Sequence, residues 1–100
     1  MLKPDAYVNI KFYESVNGGR KSATPFNDIF GFVFRMDNKN FDCRILFSER
    51  CSIRPGDSKD NIPIKFLDYE GVKNELYKNR KFYMWEGGII GEGTILDFVE

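Results

Sequence analysis

The side chains that could carry out chemistry are few. The chain contains no histidine, which removes Ser-His and Cys-His nucleophile pairs, histidine metal sites and the commonest general base together. Its two cysteines, Cys43 and Cys51, lack the Cys-x-x-Cys spacing of redox and metal motifs and are expected as reduced thiols. No pair of carboxylates stands in a recognisable catalytic motif. The glycine-rich stretch "EGGIIGEG", residues 86–93, fails as a phosphate cradle on context. A dinucleotide fingerprint needs a strand feeding a helix whose N-terminus faces the phosphate, and a P-loop needs Gly-Lys followed by Ser or Thr. Both flanks here read as strands and no lysine is present, so the expectation is a protein with no cofactor, no metal and no nucleotide, and not an enzyme.

Residues suited to recognition are easier to find. In "KFYMW" a period of two that turns Phe82 and Met84 inward puts Tyr83 and Trp85 together on the outside, beside Lys81 and Glu86. Aromatic pairs of that kind carry interfaces, unless a loop or chain terminus covers them. A second candidate is "KNELYKNRKFYMW", which interleaves Lys73, Lys78, Arg80 and Lys81 with Tyr77 and strand aromatics in the manner of single-strand nucleic-acid binders. A solvated loop running into a core strand explains the same residues and is the favoured account of them.

These residues must be positioned by strands, because the dominant period is two. Val8, Ile10 and Phe12 alternate with Asn9 and Lys11; Phe30, Phe32, Phe34 and Met36 alternate with Ile29, Gly31, Val33 and Arg35; Phe41, Cys43, Ile45 and Phe47 oppose Asp42 and Arg44. Ile62, Ile64 and Phe66 open a fourth strand, with Pro63 on its outer side hinting at an edge or bulge. "KFYMWE" and "TILDFV" supply the last two. Turns are expected at Asn17-Gly18-Gly19 and at Arg54-Pro55-Gly56-Asp57, where proline and glycine hold the central places of a type II turn. The polar "DSKDN" reads as an extended loop, and "DYEGVKNELYKNR" as a loop or frayed turn in preference to a short helix. Gly87 and Gly88 suit a corner, and Gly91 and Gly93 a close approach of a neighbouring strand or partner. About six strands without a covering helix favour an all-β fold, a small closed antiparallel barrel, over a sandwich.

At 100 residues the chain is the size of one domain, residues 1–100, and an apolar fraction of 42% with ten Phe and five Tyr supports a core. The 15 basic and 15 acidic residues cancel, unlike the large positive field of a typical nucleic-acid binder. With no stretch near the roughly 18 apolar residues of a membrane span, and no leader pattern, the expectation is a soluble, cytoplasmic protein without membrane contact.

Several motifs taken in order resemble one family, the C-terminal (third) domain of bacterial elongation factor Tu. They are Lys3-Pro4, similar to the linker into that domain; "YVNIKF"; the turn Gly18-Gly19-Arg20; Thr24-Pro25-Phe26; "FVFR" ending in Arg35; Pro55-Gly56-Asp57; and "FYMWEGG" followed by a Gly-x-Gly strand. The resemblance covers nearly the whole chain and implies a six-stranded antiparallel barrel. In the intact factor this domain helps bind the T stem of aminoacyl-tRNA, packs on the GTPase domain and contacts the exchange factor. It places Arg20, Arg35, Glu86, Gly87 and Gly88 as the positions matching contacts to RNA or a partner.

Departures from the family's pattern redirect that expectation. Lys21 stands where the family has His, Gly31 where it has Gln, Ile89 and Trp85 where it has Arg, and Tyr83 where it has a small residue on the side facing the GTPase domain. Loss of RNA-facing groups, zero net charge and the aromatics at 83 and 85 lead to a non-catalytic binding protein engaging a protein partner, in one version an immunity or antitoxin-like factor. An RNA module retaining tRNA T-stem recognition is the alternative, and an enzyme of unrecognised type the least supported. With no GTPase domain in the sequence, no GTP binding or hydrolysis is expected.

Overall fold

The computed structural model describes residues 3–99. Six strands, β1 (Ala6–Phe12), β2 (Asn27–Met36), β3 (Lys39–Cys51), β4 (Ser58–Phe66), β5 (Lys81–Trp85) and β6 (Ile89–Phe98), close into a barrel in the order β1-β4-β3-β2-β5-β6, antiparallel throughout. The all-β closed barrel expected from the alternation is therefore the observed fold. Closure leaves the sheet without an outer edge.

The inward set is the one the alternation selects. Val8, Phe12, Phe34, Ile45, Phe82 and Met84 are fully buried. Phe34 stacks on Phe82 with centroids 4.0 Å apart and meets Phe66 edge-on at 5.1 Å. Two tight corners hold the neighbouring strands. Asp37 and Asn38 both take left-handed φ values (48° and 65°), giving the two-residue turn that joins β2 to β3 between Met36 and Lys39. Between β3 and β4, Gly56 has φ 88° and the Asp57 amide donates to Arg54 O at 3.1 Å, the turn that Pro55-Gly56 predicts.

Three segments differ from the sequence expectation. The polar run 58–61 is the start of β4, not a loop: Ser58 and Lys59 pair with Lys11 and Ile10, and a bulge then turns Asn61 out at φ 55°, its amide donating to Asn9 Oδ1. A ladder needs backbone groups, which polar residues supply as well as apolar ones. Pro63 sits opposite Tyr7, just beyond the last β3–β4 pair at Ile64, where its missing N–H interrupts no ladder. β6 begins at Ile89, five residues before the apolar run suggests, because Gly91 and Gly93 pair with Phe12 and Ile10. Finally, the segment read as a loop or frayed turn is a short helix, α1 (Tyr69–Val72), continued by a 3-10 turn over Lys73–Glu75. The Asp68 carboxylate caps it by accepting from the Gly71 amide, and Val72 and Leu76 are buried in the core, which outweighs the weak intrinsic helicity. No helix among the described residues is long and apolar enough to cross a membrane.

Candidate interaction surface on the outer barrel wall

The pleat of β5 decides the site. Phe82 and Met84 have no exposed surface, so Lys81, Tyr83 and Trp85 line up on the outer wall; Tyr83 is 39% exposed and Trp85 half-buried. Across the ladder Tyr83 stands opposite Arg35 and Trp85 opposite Val33 on β2, while on the β6 side Tyr83 faces Glu92 and Trp85 faces Ile89. The indole divides two open hollows. One, of about 620 Å³, has Ile29, Gly31, Val33, Arg44 and Leu67 along its walls. The other, of about 610 Å³, is bounded by Arg35, Asn38, Tyr83 and Ile89. Among the described residues Tyr83 is exposed and Trp85 half-buried, so the pair is in part open to solvent. Leu67, 73% exposed, and Ile29, 36% exposed, extend the apolar surface beyond Trp85.

Arg20 reaches the same side of the barrel from the long β1–β2 connection. Thr24 anchors that connection: its amide donates to Ile53 O at 2.9 Å and its hydroxyl oxygen accepts from the Ile53 amide at 2.9 Å. The Arg20 guanidinium pairs with the Glu86 carboxylate, donates to Ser22 O at 3.2 Å, and lies over the Phe30 ring at 5.4 Å. Glu86, Gly87 and Gly88 form the β5–β6 turn, with Gly87 at φ 71° and the Glu86 amide donating to Gly88 O at 2.9 Å. Open space lies above both glycines. A small hollow of about 330 Å³ therefore gathers Arg20, Glu86, Gly87 and Gly88. Arg35 is not part of it; it flanks Tyr83 and Trp85, and among the described residues its guanidinium donates only to the Asn38 amide oxygen, at 3.4 Å.

Lys81 belongs to a polar network on the β6 side. Its ammonium binds Glu92 at 3.1 Å and lies 5.3 Å from the centre of the Tyr83 ring, and the Tyr13 hydroxyl donates to Glu92 at 2.9 Å. Those donors, Lys81 first, hold the Glu92 carboxyl below its ordinary range. The same bond raises Lys81, while desolvation and the adjacent carboxylate push the Tyr13 phenol up. Two other cations of the aromatic-basic stretch are likewise engaged, Arg80 with Asp37 and Glu75, over the Tyr77 ring at 5.0 Å, and Lys73 with Glu70; Lys78 has no ion-pair partner among the described residues.

Nucleophilic chemistry has little to work with here. Cys43 borders the first hollow, but it belongs to the core, its thiol faces Phe32 O at 3.7 Å, and burial pushes its pKa well above the ordinary thiol value. Among the described residues no three His, Cys, Asp or Glu side chains are grouped to hold a metal ion. The sequence did not single out Ile29, Val33, Arg44 and Leu67 as site residues. The outward set of β2 carries the signal for the first two; Arg44 and Leu67 join them only through the register of β2 with β3 and the chain's exit from β4. No protein-family model and no curated protein matches the chain.

Proposed function

We propose that this chain is a non-catalytic binding protein whose working surface is the outer wall of β2 and β5, engaging a protein partner. The observation that carries the reading is the outward placement of Tyr83 and Trp85 on one strand, with Trp85 between two open hollows and Ile29, Val33 and Leu67 extending the apolar area. Large amphipathic aromatics flanked by arginine are the residues that dominate protein interfaces. The motifs that resemble the third domain of elongation factor Tu are what suggest a barrel adapted from translation, and an immunity or antitoxin-like factor is one form such a protein would take.

Ion pairing disfavours the RNA alternative. Of the cations the RNA alternative would use, Arg20, Lys73, Arg80 and Lys81 each hold a carboxylate of the same chain, while among the described residues Lys78 and Arg35 hold none; phosphate binding gains from counterion release only in proportion to the cations offered. Affinity capture from lysate with the wild type and a Tyr83→Ala/Trp85→Ala double variant tests the face. Partners lost on the double variant support it, and an unchanged set rejects it. A mobility shift with tRNA across a salt series is the second arm: no shift is expected at low salt, and a salt-sensitive complex there overturns the protein-partner reading in favour of RNA.

A further inference from the structure

The charges around Trp85 are unevenly satisfied, and the imbalance has a shape. Three carboxylates near the two aromatics are already matched within the chain: Glu86 by Arg20, Asp37 by Arg80 and Glu92 by Lys81. Two guanidiniums are not. Arg44 has no hydrogen-bond or ion-pair partner among the described residues, and Arg35 has only its long bond to the Asn38 side chain. Arg44 stands opposite Gly31, and Arg35 lies four residues further along β2 on the same outer side. At a strand rise of about 3.3 Å per residue the two positions are about 13 Å apart along the strand direction, one strand spacing of about 4.8 Å to the side. Midway between them lies Val33, with Trp85 opposite it on β5 and, opposite it on β3, Asp42, whose carboxylate has no hydrogen-bond or ion-pair partner among the described residues.

Resting on the reading of this wall as the partner surface, we propose that it accepts an extended segment of a protein partner, laid along β2. That segment carries two carboxylates four residues apart, with an apolar side chain halfway between them. The carboxylates meet Arg35 and Arg44, and the apolar residue enters beside Val33 and Trp85. In an extended chain residues i, i+2 and i+4 share one face and span about 13 Å, matching the separation of the two arginine positions along the strand direction. A helix places i and i+4 only about 6 Å apart along its axis and meets one arginine at a time. Asp42 excludes an acid from the central position and so sets the order of the pattern. Gly31 leaves the floor beside Arg44 bare: a Cβ added there would meet only the Cys43 carbonyl oxygen, at 3.8 Å, among the described residues.

The test is selection from a phage-displayed library of linear random peptides on three immobilised proteins: wild type, Arg35→Glu/Arg44→Glu and Trp85→Ala. Wild type is expected to enrich Asp or Glu pairs four apart around an apolar residue, the charge-reversed protein to enrich Lys or Arg at those places, and Trp85→Ala to lose the enrichment. Replacing either acid of an enriched peptide by alanine then weakens binding about two- to fivefold, the range of one exposed ion pair. Enrichment that needs Trp85 but lacks the acidic spacing, or survives charge reversal, overturns the inference and leaves the face standing. No enrichment on wild type, or enrichment indifferent to Trp85→Ala, overturns both. Thermal melting checks that the variants fold; Arg44→Glu alone, at an exposed site without a side-chain partner among the described residues, supplies the charge-reversal arm if the double variant does not.

Discussion

Replacing Gly93 by alanine tests whether β1, β5 and β6 are packed as tightly as the closed barrel requires. A methyl group there would lie under 3.0 Å from both Asn9 O on β1 and the Phe82 ring on β5, where contacts of 3.4–4 Å are ordinary. Neither neighbour yields readily: the carbonyl belongs to the β1 backbone, and the Phe82 ring is stacked on Phe34 and fully buried. Overpacking a core costs about 1–3 kcal/mol, and with two rigid neighbours the upper end applies. Alanine returns about 0.5–1 kcal/mol through the smaller entropy of its unfolded chain, leaving a net loss of about 2 kcal/mol. For a domain of this size that lowers the melting temperature by about 8–16 °C. Gly31→Ala is the matched control. Its methyl would point outward, 3.8 Å from the Cys43 carbonyl, so only the entropic gain remains and melting rises by about 2–8 °C. The assay is circular dichroism melting of the three proteins side by side. A Gly93→Ala curve that superimposes on the wild type's refutes the packing argument, and with it the account of why β6 carries glycines.

Phe34→Ala removes a fully buried ring that touches both Phe82 and Phe66; a loss of about 3–5 kcal/mol is expected, read as a fall in the urea midpoint. Glu92 has a depressed carboxyl pKa in the fold, so its stabilising contribution is present above the ordinary glutamate value of about 4.3 and is lost as pH falls through the folded value. The stability gap between wild type and Glu92→Gln is therefore largest near neutral pH and closes in acid, checked by urea titrations at a series of pH values. Tyr13 and Lys81 act in the opposite direction, their raised pKa values giving a contribution held below about pH 10 and lost as pH climbs through the folded values. With a thiol-reactive dye the half-buried Cys51 is labelled in the native protein, while buried Cys43 reacts only as the protein unfolds; equal rates for the two would contradict the burial of Cys43.

The sequence by itself determined which residues face inward along most of the wall. In β1, β2 and β5 large apolar residues recur at every second place, and a pleated strand turns such a set to one side, so Phe34, Phe82 and Met84 were legible as core and Tyr83 and Trp85 as outward. Pro55-Gly56 announced its turn because only certain φ values suit those residues. Where side chains are small or polar the signal fades: Gly91 and Gly93 have no side chain with which to show alternation, and Ser58 and Lys59 pair through backbone groups that composition does not report. α1 was hidden because its stability comes from burying Val72 and Leu76 and from one cap at Asp68, not from propensity. Tertiary structure alone decided the surroundings of the aromatic pair. The order β3-β2-β5 brought Arg44, Asp42 and Val33 beside Trp85, and the β1–β2 connection delivered Arg20 to Glu86, a residue 66 positions away in the chain. Ion pairing depends on distance in space, so which cations are spent within the molecule and which face outward follows from the register of the closed sheet.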